Sequence, residues 1–262
     1  MNSTEKKDRK TTVLAIVVFY VIAIVLRYLT NKTSILDGVN VPILKMLLQG
    51  IGPAVGALVA ILIFRIPFKM TFKGIHRNLF FPLAVYWLLP IVLISLVSYF
   101  VKGTFPIVSV IAILIYGLLE EIGWRGFLQP MLSPLPKIVT ILIITILWFV
   151  WHLNFQMTGS NILFFFILLL GSWGIGLVAD KTNSLLAVAA FHSLNNFFGE
   201  YNLRTGIIIA VLLAVWIVYL VFTNKKLKKA ENISRKKKKS IIFALKFLNY
   251  DRRISICIRR SL

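Results

Sequence analysis

The sequence predicts an all-α membrane protein, a polytopic helix bundle with about eight transmembrane helices. Hydrophobic residues make up 58% of the 262-residue chain and charged residues only 15%, whereas a soluble domain is about half apolar and a quarter charged. The mean hydropathy is +0.85. Apolar runs of about 20 residues, which are long enough to cross a bilayer as a helix, recur along the chain.

Eight apolar segments are the predicted spans, and short polar connections separate them. They lie at about residues 11–29, 42–64, 80–101, 107–132, 137–157, 162–180, 184–200 and 206–223. The first run is too long for the apolar part of a signal peptide, so we expect it to be retained. Residues 11–223 are therefore the predicted transmembrane domain, between an N-terminal segment, 1–10, and a tail, 224–262.

Basic residues predict the orientation of these spans. They cluster in residues 1–10, in the connection 65–79 and in the tail 224–262. An even number of spans puts these three regions on one side, and the positive-inside rule makes that side the cytoplasm. We therefore expect both termini to be cytoplasmic.

The tail holds fourteen Lys or Arg residues and two acidic residues. A basic segment next to a membrane span is expected to bind anionic lipid. Basic runs also bind nucleic acids, but we expect no nucleic-acid partner for a chain with so many spans. The single cysteine, Cys257, excludes an internal disulfide and a multi-cysteine metal site.

Two adjacent glutamates, Glu120 and Glu121, lie in the fourth predicted span. Ionisable groups inside a membrane are costly and usually functional. Glu121 and Arg125 are four residues apart, so they share a helix face and can pair. Glu120 is rotated by about 100° from Glu121 and has no cation on its own helix, which makes it the candidate acid or base. The alternative is that both acids only stabilise helix packing.

Two further spans each carry a histidine. His152 lies in the fifth span, four residues after Trp148, and His192 lies in the seventh, four residues before Asn196. The second spacing predicts that His192 and Asn196 lie on the same helix face. A helix rises 1.5 Å per residue, so the positions of Glu120, His152 and His192 within their spans put all three near the bilayer centre. We expect His76, in a basic connection, to have no catalytic part.

These residues form three motifs in order. Glu120 to Arg125 fits EExxxR, Trp148 to His152 fits FxxxH with Trp in place of Phe, and His192 to Asn196 fits HxxxN. Over about residues 105–200 the chain resembles the CPBP intramembrane proteases, which include CAAX prenyl endopeptidases and bacteriocin-processing or abortive-infection proteins. Since Trp148 replaces one aromatic ring by another, we expect it to affect packing more than chemistry.

The resemblance implies hydrolysis of a peptide bond within the membrane. Glu120 would activate a water molecule and His152 would help to hold it. His192 and Asn196 would stabilise the oxyanion of the tetrahedral intermediate. The residues that would order the site are Glu121 and Arg125.

Three alternative functions are compatible with these residues. Glu120, His152 and His192 are the ligands of an alternative zinc-dependent enzyme. We favour hydrolysis without a cofactor because the HExxH motif is absent and a carboxylate with imidazole suffices for acid–base catalysis. A non-catalytic bacteriocin-immunity or scaffold protein is the second alternative. A transporter is a third, but no inverted repeat is evident.

The expected substrate is a membrane-embedded or lipid-anchored protein or peptide, which the motifs do not identify further. The chain is rich in Lys, Ile, Asn and Phe, a composition typical of AT-rich bacterial genomes. We therefore expect the protein to lie in a bacterial plasma membrane.

Overall fold

The computed structural model describes residues 3–198 and 202–259, and these residues form nine helices. The helices are α1 (Ser3–Lys32), α2 (Pro42–Gly50), α3 (Gly52–Phe64), α4 (Phe80–Lys102), α5 (Ile107–Met131), α6 (Lys137–Trp151), α7 (Gly159–Thr182), α8 (Leu185–Ser193) and α9 (Leu203–Arg259). The described residues include no β-strand beyond one isolated bridge. The predicted all-α class is confirmed.

Five of these helices contain a stretch that is long and apolar enough to cross a membrane, namely α1, α4, α5, α7 and α9. The pair α2 and α3 is bent by 44° and makes a sixth span if it is counted as one. Helix α6 is apolar but has only 15 residues, and α8 has nine. The polytopic helical class is therefore confirmed, whereas the predicted number of eight spans is not.

Two predicted helices end earlier than expected. The fifth, expected to reach residue 157, ends at Trp151, because Leu153 has a left-handed backbone (φ +55°) that a helix cannot include. The seventh, expected to reach residue 200, ends at Ser193 and a turn follows it. Consecutive asparagines favour such a turn over a helix. Residues 199–201 lie outside the described part of the chain.

The predicted flanking segments are helical where they are described. Helix α1 already begins at Ser3, and α9 extends to Arg259 through most of the tail. Residues 260–262 lie outside the described part. The described residues up to 213 form one compact unit, and those from 214 onward form a second.

Small residues bring the helices of the first unit into close contact. A methyl group on Gly52 of α3 would lie 2.6 Å from the carbonyl oxygen of Ala23 on α1, and one on Gly56 would overlap the carbonyl of Phe19. On α5, a methyl group on Gly117 would lie 2.6 Å from Ser193 Oγ of α8. Helices α1 and α3, and α5 and α8, therefore pack backbone against backbone.

Helix α5 has a wide turn in the middle. Residues Ile107–Glu121 are α-helical, Ile122–Leu128 are π-helical and the helix then continues to Met131. The wide turn begins immediately after the two glutamates. Such π segments often occur at functional sites.

The connection 65–79 docks on the turn between α7 and α8. The backbone of Thr71 bonds both neighbours of Ser184: its N–H donates to the carbonyl of Asn183, at 3.2 Å, and its carbonyl accepts from the N–H of Leu185, at 2.9 Å. The hydroxyl of Ser184 donates to the carbonyl of Phe72 at 2.7 Å. Ser184 also caps α8, so this junction fixes the start of the helix that carries His192.

Candidate active site

Glu121 is the centre of a buried hydrogen-bonded cluster. Its Oε1 accepts hydrogen bonds from Arg125 Nη1 and from His192 Nδ1, each at 2.7 Å. The side chains of Glu121 and Arg125 are completely buried and that of His192 is 5% exposed. The ion pair predicted from the i,i+4 spacing therefore forms, and Glu121 also reaches across to α8.

His192 has a defined orientation. Because a carboxylate accepts but does not donate hydrogen bonds, the Nδ1 that faces Glu121 carries a proton. The other ring nitrogen, Nε2, lies 3.9 Å from Oε2 of Glu120. This distance is too long for a direct hydrogen bond, and a water molecule can be shared by two groups at such a separation.

Glu120 is 1% exposed and accepts a hydrogen bond at 2.8 Å from the indole Nε1 of Trp148. The guanidinium carbon of Arg125 lies 4.7 Å from the centre of the Trp148 ring. We expected Trp148 to affect packing more than chemistry. It also donates a hydrogen bond to the candidate base, which a phenylalanine at this position could not do.

His152 caps the C-terminal end of α6 instead of lying within it. Its Nδ1 lies 2.7 Å from the carbonyl oxygen of Trp148, which can only accept, so Nδ1 carries the proton and the neutral ring has its lone pair on Nε2. The ring is half-buried and packs edge-on against Phe164, with centroids 4.8 Å apart. The left-handed residue Leu153 then turns the chain away from the site.

A cavity of about 250 Å³ brings the predicted catalytic residues together. The residues from the sequence analysis that line it are Glu120, His152, His192 and Asn196. Asn196 reaches the cavity from the turn after α8, where its N–H donates to the carbonyl of Ser193 at 2.9 Å. The prediction that Asn196 shares a helix with His192 is wrong, although both line one cavity. A liquid water molecule occupies about 30 Å³, so this volume admits several waters or a short peptide segment.

The protein has a second, larger cavity of about 560 Å³. Its lining includes Arg125 and mainly apolar residues of α6 and α7. Within the described part of the chain, neither glutamate nor either histidine of the site lines it. The smaller cavity is therefore the candidate active site.

Sequence reasoning missed two polar residues near Glu120. Tyr116 lies one turn before Glu120 on α5, lines the cavity and directs its hydroxyl toward the Glu120 carboxylate and the Arg27 guanidinium. The second residue is Arg27, near the end of the first predicted span. Its Nη1 donates to the carbonyl of Gln49 at 2.9 Å, and its guanidinium lies 4.2 Å from the Trp151 ring centre. The i,i+4 spacing of Tyr116 and Glu120 could have revealed the first, but nothing in the spacing reveals Arg27.

The candidate zinc ligands do not form a ready-made metal site. Within the described residues, no three His, Cys, Asp or Glu side chains come close enough together to hold an ion. Glu121 and the Trp148 carbonyl occupy one nitrogen of each histidine, and the remaining nitrogens face the cavity. An acid and two imidazoles that line one cavity are groups that acid–base chemistry can use, and the steps proposed below use no metal ion.

Comparison with known proteins agrees with the three motifs. No curated protein matches the chain. Residues 102–198, which contain all three motifs and every site residue predicted from the sequence, match the family described as Type II CAAX prenyl endopeptidase Rce1-like. This match confirms the resemblance to the CPBP proteases: residues 102–198 of this integral membrane protein are similar to the Rce1-like type II CAAX prenyl endopeptidases.

Proposed function

We propose that this protein is an intramembrane endopeptidase in which Glu120 activates a water molecule. One observation carries the proposal: Glu120 Oε2 and His192 Nε2 face each other at 3.9 Å in a cavity that His152 and Asn196 also line. A carboxylate and two imidazoles around a cavity with room for water and a peptide are the groups that acid–base hydrolysis requires.

The water molecule lies between Glu120 and His152. The carboxylate of Glu120 takes one proton from it, and Nε2 of His152 accepts a hydrogen bond from its other hydrogen. Donation from His152 Nδ1 to the Trp148 carbonyl supports this role, because it leaves the lone pair on Nε2. The resulting hydroxide attacks the carbonyl carbon of the scissile peptide bond.

His192 and Asn196 stabilise the oxyanion that forms. An Nε2–H donor on His192 requires the imidazolium, and the Glu121 carboxylate on Nδ1 stabilises this form in the way that a triad carboxylate does. The amide of Asn196 supplies a second donor. Each such donor contributes roughly 3–4 kcal/mol to transition-state stabilisation. Glu120 then returns its proton to the leaving amine, which releases the two peptide products.

The substrate is a protein or peptide that is embedded in the membrane or anchored to it by a lipid. The matched family is described as prenyl endopeptidases, and the helices that carry Glu120 and line the cavity are apolar enough to lie in a bilayer, which favours substrates held in or at the membrane. We place both termini in the cytoplasm of a bacterial cell, where the exposed Lys225 and Lys226 of the tail meet anionic lipid. The proposed steps need no metal, and a zinc-dependent form of the same hydrolysis is the alternative.

The test compares membrane peptides from cells that express the wild-type protein or the Glu120→Gln variant. New C-terminal or N-terminal fragments are expected only with the wild type, and both proteins should be recovered at the same level. Asp37→Asn is the matched control, because it removes an acid whose side chain is 73% exposed. Fragments that persist with Glu120→Gln would refute the mechanism. A wild-type function without any fragment would instead support an immunity or scaffold protein.

A further inference from the structure

The indole of Trp148 is placed to control the geometry of Glu120. Its Nε1 donates to Glu120 Oε2 at 2.8 Å, and the side chains involved are almost completely buried. An indole has a single N–H, so Trp148 commits its only donor to this one oxygen.

Three neighbouring side chains hold the direction of this donor. The guanidinium carbon of Arg125 lies 4.7 Å from the centre of the Trp148 ring, and the His192 ring centre lies 5.2 Å away. Trp124 contacts the ring as well, with centroids 6.4 Å apart. Rotation of the indole away from Glu120 would disturb these contacts, so the hydrogen bond is held by the surrounding cluster.

The same carboxylate oxygen also faces His192. Without the indole donor on this oxygen, Oε2 would be expected to close the 3.9 Å separation from His192 Nε2 and form a direct ion pair. Such a pair would occupy the carboxylate that takes the proton from water and the N–H that faces the oxyanion. The indole donor satisfies Oε2 from the side of α6 and keeps the two groups apart.

We propose that Trp148 is a positioning residue, whose N–H holds the Glu120 carboxylate away from His192 and so preserves the space in which water and the substrate carbonyl react. This inference rests on the proposed function, because it assigns Trp148 a part in the hydrolysis by Glu120. It predicts an effect on kcat with little effect on KM, since Trp148 acts on the acid that activates water and not on the rest of the substrate.

The test uses the purified full-length protein in lipid vesicles with a cleavable membrane-tethered peptide. Trp148→Phe removes the N–H and is expected to lower kcat by about ten- to a hundredfold at a nearly unchanged KM, the range for hydrogen bonds to charged groups. The matched control is Trp173→Phe, which makes the same change at an indole that is 54% exposed and lines the larger cavity instead of the site. It removes no hydrogen bond to Glu120, so kcat should stay within about threefold of the wild type.

A second variant separates the hydrogen bond from packing. Benzothienylalanine at position 148 has the shape of tryptophan with sulfur in place of the N–H, and it should lose activity as Trp148→Phe does. Full activity of this isostere, or of folded Trp148→Phe, would overturn the inference. In the Glu120→Gln background, Trp148→Phe should leave the Kd for the uncleaved peptide unchanged, and a weakened Kd would instead assign Trp148 to substrate binding. If the wild type itself cleaves no membrane peptide, the proposed function is wrong; if it cleaves and only the Trp148 predictions are not met, this inference alone is wrong.

Discussion

Replacing Arg125 by methionine is expected to lower the free energy of unfolding by about 3–5 kcal/mol. Arg125 Nη1 and Glu121 Oε1 are 2.7 Å apart, and both side chains are completely buried. Two unit charges at that distance attract each other by about 6 kcal/mol at an effective dielectric constant of about 20, before the cost of desolvation is subtracted. The single substitution leaves Glu121 buried with His192 as its remaining donor, so most of the loss comes from a poorly compensated charge.

The double variant Glu121→Leu with Arg125→Met removes both charges. We expect it to be more stable than Arg125→Met by at least about 1 kcal/mol, because apolar residues often replace a buried ion pair at no net cost. It should nevertheless be inactive, because His192 Nδ1 loses the acceptor that orients it.

Unfolding in mixed micelles, followed by circular dichroism, measures these stabilities. Lys137→Met is the matched control: Lys137 pairs with Asp180 at 3.0 Å, but both side chains are largely exposed, and its loss should cost about 0–1 kcal/mol. An Arg125→Met variant as stable as this control would refute the energetic argument. A double variant that cleaves at the wild-type rate would refute the role of Glu121 in orienting His192.

Three further predictions follow from the site and the tail. Gly117→Val should lower activity at least tenfold, because even a Cβ there would lie 2.6 Å from Ser193 Oγ and must displace α8. The control in the same assay is Gly159→Val, where a Cβ meets nothing within 4 Å. A zinc chelator should leave cleavage by the purified protein unchanged, and activity that is lost and then restored by zinc would require a metal in the mechanism. Replacing Lys225, Lys226, Lys228 and Lys229 by glutamine should weaken the association of anionic lipid by about 1 kcal/mol per lysine, measured by lipid exchange in vesicles; an unchanged affinity would contradict lipid binding by the tail.

The sequence alone was sufficient to predict the helices that consist of long apolar runs. The spans at α4, α5 and α7 are long apolar runs, and their helices begin and end near the predicted residues. The pair Glu121 and Arg125 was also predictable, since it depends only on the helical spacing of two residues.

The rest depends on local backbone geometry and on contacts between distant segments. His152 caps α6 because Leu153 adopts a left-handed conformation, and a leucine gives no sign of that in advance. Asn196 reaches the cavity from a turn, where helical spacing does not apply. The hydrogen bond from Trp148 joins α6 to α5, and a motif that records only an aromatic residue at that position does not include it.

The junction of the connection 65–79 with Ser184 limits the substitutions that this protein can tolerate without loss of turnover. Helix α8 is only nine residues long, and His192 is separated from the Ser184 cap by eight residues, or about 12 Å of helix. A helix this short is a stiff spacer, so a shift at its first turn is transmitted to the imidazole at its far end. Substitutions around Thr71, in a connection that contributes none of the predicted site residues, should therefore alter turnover as strongly as changes inside the bilayer.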